Sequence, residues 1–158
     1  MVVVADSSPL ICFAILDKLS LLDSLFDSLI VSEEVYNEVI VPSKPYSDIL
    51  SKYLNGKVKK VMNTLAVNIL CHEIDRGEAE AIVLALEQNI ERIFIDDSKG
   101  RRVAKKEGLV PIGSIGVLLK AKEKGLIQEI KPLLDDLISH GIHISAGLYD
   151  SALQLAKE

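Results

Sequence analysis

The sequence predicts a three-layer α/β/α domain with a mainly parallel central sheet. Three observations carry that expectation. Short β-branched runs (VVVA, SLIV, ERIFI and VPI) alternate with apolar stretches of helical length. Leu, Ile, Val and Ala dominate, aromatic residues make up only 4%, and Trp is absent, which suits parallel strands buried on both faces. Three strands end on polar residues, Asp6-Ser7, Asp96-Asp97 and Gly113-Ser114, and ligands bind at that end of such sheets. At 158 residues the chain reads as one domain, 1–158.

In chain order, Val2–Ala5 is a buried strand that ends at Asp6, and Ser7-Ser8-Pro9 opens a helix through Leu10–Leu16. A shorter helix follows over Leu19–Leu25, then a strand over Ser28–Val31. Ser32 caps a helix over Glu33–Ile40, whose first-turn acids suit the helix dipole and which stops before Pro42. Ser43–Leu54 reads as a helix closed by Asn55-Gly56. Between Lys57 and Asn68 only KVKKV has a pattern, that of an exposed strand. Gly77–Lys106 then gives helix, strand and basic helix. Val110–Ile112 is a strand, Gly113-Ser114 starts a helix reaching about Gly125, and another runs over Pro132–His140. Ile142–Ser145 is expected as a last short strand, before a terminal helix over Ala146–Lys157.

Composition excludes several classes. The longest pure apolar run, Ala81–Leu86, falls far short of the roughly 20 residues of a membrane helix. The N-terminus lacks the basic start of a signal peptide, and Asp6 interrupts its apolar stretch. Cys12 and Cys71 build no framework, so a reducing, cytoplasmic setting is expected. A net charge of −5 argues against a general nucleic-acid coat protein but leaves room for a nuclease with an acidic pocket. Neither a P-loop nor GxGxxG after the first strand is present.

The acids need individual weighing. At about 100° per residue, Glu80, Glu87 and Glu91 share a solvated stripe, whereas Glu78 lies opposite, beside Ile82 and Ala85. A carboxylate on a buried face is either an N-terminal capping acid or a cation ligand. Asp97 or Asp96 serves as an N-cap for the helix near Ser98, but a cap explains only one of them. Neighbours on a strand face opposite ways, so one of the two points squarely into a pocket. Asp6 is a turn residue before Pro9 or a third member of that pocket. Glu38, four residues after Glu34, reads alone as a solvated face. Lys99, Arg101, Arg102, Lys105 and Lys106 follow the acids directly and suit phosphate binding or plain solubility. His72, His140 and His143 show no ligand spacing. An all-carboxylate cluster selects hard cations, Mg²⁺ or Mn²⁺, and such ions held by acids serve phosphodiester hydrolysis.

The combination of Asp6-Ser7-Ser8 after an apolar strand, VYNEVI, GEAEAIVLALE, IFIDDSKGRRVA, PIGSIGVLLKAKEKGLI and ISAGLYDSAL resembles the PIN-domain family, VapC-like branch, over nearly the whole chain. The resemblance implies an α/β/α nuclease fold and a Mg²⁺- or Mn²⁺-dependent ribonuclease. It also implies a toxin of a toxin–antitoxin pair, dimeric and inhibited by a small antitoxin protein. Carried over by position, the family's acids fall on Asp6, Glu38, Glu78 and Asp97, with Asp96 beside the last and Ser114 as the hydroxyl after the final core strand. Glu at 78, where many members have Asp, makes one metal ion a firmer expectation than two. On this reading Asp6, Glu78, Asp96 and Asp97 form the metal set, while Glu38 or Asp96 directs a water. Ser7, Ser114, Lys99, Arg101 and Arg102 contact an RNA backbone without reading its bases.

Two other classes compete. A non-catalytic PIN-like module or RNA-processing scaffold would keep the pocket for binding alone. A phospho-receiver would want its acidic pair after the first strand and a Lys after the last, where this chain has Ser114.

Overall fold

The computed structural model describes residues 1–158. It has five strands, β1 (Val2–Ala5), β2 (Ser28–Ser32), β3 (Val58–Lys59), β4 (Arg92–Phe94) and β5 (Val110–Ile112). All pair in parallel, in the order β3-β2-β1-β4-β5. The helices are α1 (Ser7–Ile15), α2 (Leu19–Leu25), α3 (Glu33–Val39), α4 (Ser47–Tyr53), α5 (Thr64–Leu70), α6 (Arg76–Glu87), α7 (Ser98–Lys106), α8 (Ser114–Glu123), α9 (Lys131–Ser139) and α10 (Ala146–Ala156). This is the expected α/β/α sandwich.

Alternation along the strands sorts side chains between two cores. Val3, Ala5 and Phe94 face a larger core with Phe13, Leu22, Leu118 and Leu134. Val4, Ile93 and Ile95 face a smaller one with Ile82, Leu84 and Val103 of α6 and α7. Both sheet faces are therefore dry, as parallel strands require. The chain's three Phe residues meet in the larger core, Phe94 edge-on to Phe13 at 5.8 Å and tilted against Phe26 at 6.1 Å.

Central β1 pairs with β2 on one side and β4 on the other, so the strand order turns away from β1 in both directions. Crevices at such reversals receive ligands. Two bonds extend the ladders into this end: Asp6 N–H donates to Phe94 O at 2.9 Å, and Ile95 N–H donates to Ile112 O at 2.9 Å. They fix the backbone from which Asp6 and Asp96 project.

Three expectations need correction. The helix predicted from Ser43 starts at Ser47, because Pro45 disfavours helical geometry at Lys44. Ile142–Ser145 is not a strand; it finds no strand partner, and its alternation arises because Ile142 and Ile144 pack on the larger core. The unpatterned stretch before Asn68 contains α5, capped by the Asn63 side chain, which accepts from Ala66 N–H at 3.1 Å. Ser32 caps α3 as predicted, accepting from Val35 N–H at 3.1 Å, and KVKKV supplies the short edge strand β3.

Candidate active site

Asp6 stands where β1 passes into α1 and is 2% exposed. Its position before the helix suggests a cap, yet its side chain makes no cap bond. Oδ1 has no hydrogen-bond partner, and Asp6 holds the one such orphaned buried side-chain atom in the molecule. A buried carboxylate oxygen without a partner is costly. Burial pushes the Asp6 carboxyl up to about 8, against the Ser7 backbone N–H, and the charges of Glu78, Asp75 and Glu38 add to the rise.

Three of those neighbours gather at the start of α6. Asp75 Oδ1 accepts from Glu78 N–H at 2.8 Å, and Glu78 Oε2 accepts from Asp75 N–H at 3.2 Å. This capping box satisfies two free helix donors and locks both acids in place. Glu78 is thus both a capping residue and a member of the acid group, buried at 7% exposure. Burial raises its carboxyl to about 7, with Asp75 and Asp97 contributing repulsion. Glu38 reaches across from α3 and lies against Gly77, one residue before Glu78. Its carboxyl is raised by partial burial; the Ser7 hydroxyl hydrogen-bonds it and opposes the rise, while Asp75 and Glu34 reinforce it. Glu80, expected in solvent, is half-buried, and burial plus the charge of Glu34 raise it too.

The pair after β4 separates to opposite sides, as strand geometry requires. Asp97 turns toward Glu78 and caps α7, its Oδ2 accepting from Gly100 N–H at 2.9 Å. Asp96 turns toward α8. Its Oδ1 accepts from Ser114 N–H at 2.6 Å and its Oδ2 from the Ser114 hydroxyl at 2.5 Å. Cys12 lies behind that clamp, buried, its thiol pushed up to about 12 by burial and by the charge of Asp96. A thiol so placed is inert.

Beside Asp96 opens a cavity of about 660 Å³ lined by Asp96, Ser98, Arg101, Arg102, Lys105 and Lys106. Arg101 Nη1 donates to Ile95 O at 3.1 Å, which anchors the guanidinium at the acid end. Lys99 does not line this cavity; the other four residues of the basic run, Arg101, Arg102, Lys105 and Lys106, do.

The structure thus brings Asp6, Glu38, Glu78 and Asp97 to one side of the sheet end and ties Asp96 to Ser114 on the other. Asp75 is a further acid that sequence reasoning passed over. Its signal was there: Asp75 followed three residues later by Glu78 is a capping-box spacing. No three His, Cys, Asp or Glu side chains converge into a ready-made metal cage. The donor chemistry nonetheless fits a hard divalent ion. Every candidate ligand is a carboxylate oxygen, one buried oxygen is orphaned, and none of these acids is ion-paired to a Lys or Arg.

A parallel sheet with carboxylates gathered at the ends of its central strands defines an acidic-pocket α/β domain. The PIN-domain family model matches residues 2–158, and the chain belongs to the PIN-domain family. Members of this family are typically nucleases and generally use divalent metals. No curated protein and no solved structure matches the chain. No helix is long and apolar enough to cross a membrane.

Proposed function

We propose that the protein is a Mg²⁺- or Mn²⁺-dependent endoribonuclease that hydrolyses RNA phosphodiesters at the pocket around Asp6. The observation that carries this reading is the buried, orphaned Oδ1 of Asp6 among Glu78, Asp75 and Glu38. Folding here concentrates ionisable carboxyl groups that a purely structural domain would avoid. Asp6, Glu78 and Asp97 would hold the ion. When bound, the ion supplies positive charge for the scissile phosphate and eases ionisation of a water.

The chain's own groups do the rest. Glu38, its carboxyl raised by partial burial, accepts a proton from the attacking water at an Oε atom. The Ser7 hydroxyl, bonded to Glu38, holds that carboxylate in place. Ser114 keeps Asp96 turned away from the ion and toward α8. Arg101, Arg102, Lys105 and Lys106 grip the RNA backbone in the cavity beside Asp96, which fixes register without reading bases.

The reading extends to a cytoplasmic VapC-like toxin, a homodimer inhibited by a small antitoxin. Growth arrest on expression, abolished by Asp6→Asn, tests that role. For the chemistry, Mn²⁺ is titrated into wild type and an Asp6→Asn plus Asp97→Asn variant, each incubated with a structured RNA pool. Metal-dependent cleavage by wild type alone supports the proposal. Absence of both binding and cleavage in wild type sinks it and leaves a binding module, a reading favoured by the incomplete convergence of the acids.

A further inference from the structure

The chain has nine glycines, and they divide sharply. Gly56, Gly108, Gly125 and Gly141 sit at positive φ, where a Cβ is strained. Gly116 and Gly147 have neither positive φ nor any atom within 4 Å of a would-be Cβ. The remaining three, Gly77, Gly100 and Gly113, also lack positive φ, yet each has a carboxylate of the acid group close to the place a Cβ would take. They start three different helices, α6, α7 and α8.

At Gly77 a Cβ would overlap Glu38 Oε1 and lie 3.0 Å from Cδ and 3.1 Å from Oε2. At Gly113 it would lie 2.8 Å from Arg101 Nη1 and 3.2 Å from Asp96 Oδ1. At Gly100 it would meet Ile95 Cδ1 at 2.5 Å, with Glu78 Cδ at 3.4 Å. The obstacle at Gly100 is a core side chain, so that glycine is required by packing. The obstacles at Gly77 and Gly113 are chiefly the ends of long side chains, Glu38 and Arg101, which can rotate aside without unfolding anything, Arg101 at the expense of its bond to Ile95 O.

We infer that Gly77 and Gly113 are positioning residues of the acid site. Their missing Cβ atoms, and not backbone conformation, decide where the Glu38 carboxylate and the Arg101 guanidinium beside Asp96 rest. Helix propensity points the other way. Gly is disfavoured against Ala within a helix by about 1 kcal/mol, and Gly77 sits inside α6 without a conformational reason. This inference rests on the nuclease reading for its catalytic consequence, but the contact it names exists without metal or RNA.

The test uses the full chain with Gly77→Ala, Glu38→Asp, Glu38→Ala and both doubles, and Gly116→Ala as control. Gly77→Ala is expected to lower kcat by about tenfold to a hundredfold, as small misplacements do, with KM and Mn²⁺ affinity unchanged. Glu38→Asp, shorter by one methylene, is expected to recover part of that loss in the Gly77→Ala background. Wild-type kinetics in Gly77→Ala, or no recovery in the double, overturns the inference.

Should wild type fail to cleave RNA, the nuclease reading falls and metal-free thermal melts decide the contact. Gly77→Ala is then expected to raise Tm more in the Glu38→Ala background than in wild type, a coupling that distant sites do not show. Additive Tm changes overturn the inference. Gly113→Ala, with its own rise in KM from a displaced Arg101, keeps the test open should Gly77→Ala fail to fold; an unchanged KM there counts against it.

Discussion

The two sides of the sheet end treat their carboxylates in opposite ways. On the α6 side, Asp6, Glu38, Asp75 and Glu78 crowd together, one oxygen has no partner, and the carboxyls of Asp6 and Glu78 are driven up to about 8 and about 7. On the α8 side, each oxygen of Asp96 accepts a short bond from Ser114, so neither is orphaned. Both contain conspicuous strand-end acids, yet one is electrostatically unfinished and the other closed. Unsatisfied charge marks the place that expects a ligand; a satisfied one marks a brace.

The contrast can be broken most severely at Asp6. Asp6→Asn removes the buried carboxyl that would ionise to hold the ion, so Mn²⁺ affinity and RNA cleavage are expected to fall by about a hundredfold or more, since even indirect partners of a metal cost up to about that much. The metal-free variant should melt above wild type. A variant that binds Mn²⁺ normally in calorimetry would erase the distinction between the two sides.

The pH response sharpens it next. Asp6 and Glu78 have raised values in the folded chain against 3.8 and 4.5 ordinarily, so the fold retains protons that the unfolded chain releases. Metal-free stability is therefore fullest near pH 4 with respect to these groups and declines as pH rises to about 8. The decline is up to about 1.4 kcal/mol per pH unit for each group, less where the two titrate as a coupled set. Saturating Mn²⁺ should flatten the decline, and urea titrations across that window measure both slopes. A metal-free protein that gained stability over the same range would contradict the account.

On the closed side, Asp96→Ala strands the Ser114 N–H and hydroxyl and should cost about 2 kcal/mol of unfolding free energy. The loss should be the same with and without Mn²⁺, which denaturation in each condition will show. The smallest effect belongs to the basic cavity. Arg102→Ala with Lys105→Ala should raise KM for RNA a few-fold and shallow its salt dependence by about two counterions, leaving kcat intact in assays over a salt series.

Most of the fold could be read from the chain because its strands are short and β-branched, and three of them run into polar residues. What could not be read was hidden by packing. Helix α5 leaves Leu65 and Ile69 exposed, so its apolar residues follow no buried stripe. The segment Ile142–Ser145 shows a strand's alternation only because two isoleucines lean on the core. In the site, the opposite facing of Asp96 and Asp97 followed from strand geometry alone. The cap that Asp97 forms on its own helix was one of the two caps expected there; the partner of Asp96 was not legible, because Ser114 lies 18 residues beyond it. Asp75 was legible as a cap, but its closeness to Asp6 exists only once α6 is docked on β1.

The central position of β1 has a consequence for the order in which the protein is made. Val3 pairs with Arg92 and Ala5 with Phe94, so β1 waits for the later β4 before one of its edges is covered. Asp6 emerges before the rest of the site, and Glu38, Glu78, Asp97 and the Ser114 brace arrive only as later segments are translated. Non-local pairing of this kind is slow and comes late in folding. A nascent chain shorter than about Ser114 lacks a complete pocket. If the pocket cuts RNA, the growing polypeptide cannot attack the message it is being read from until the segment carrying Ser114 has been made.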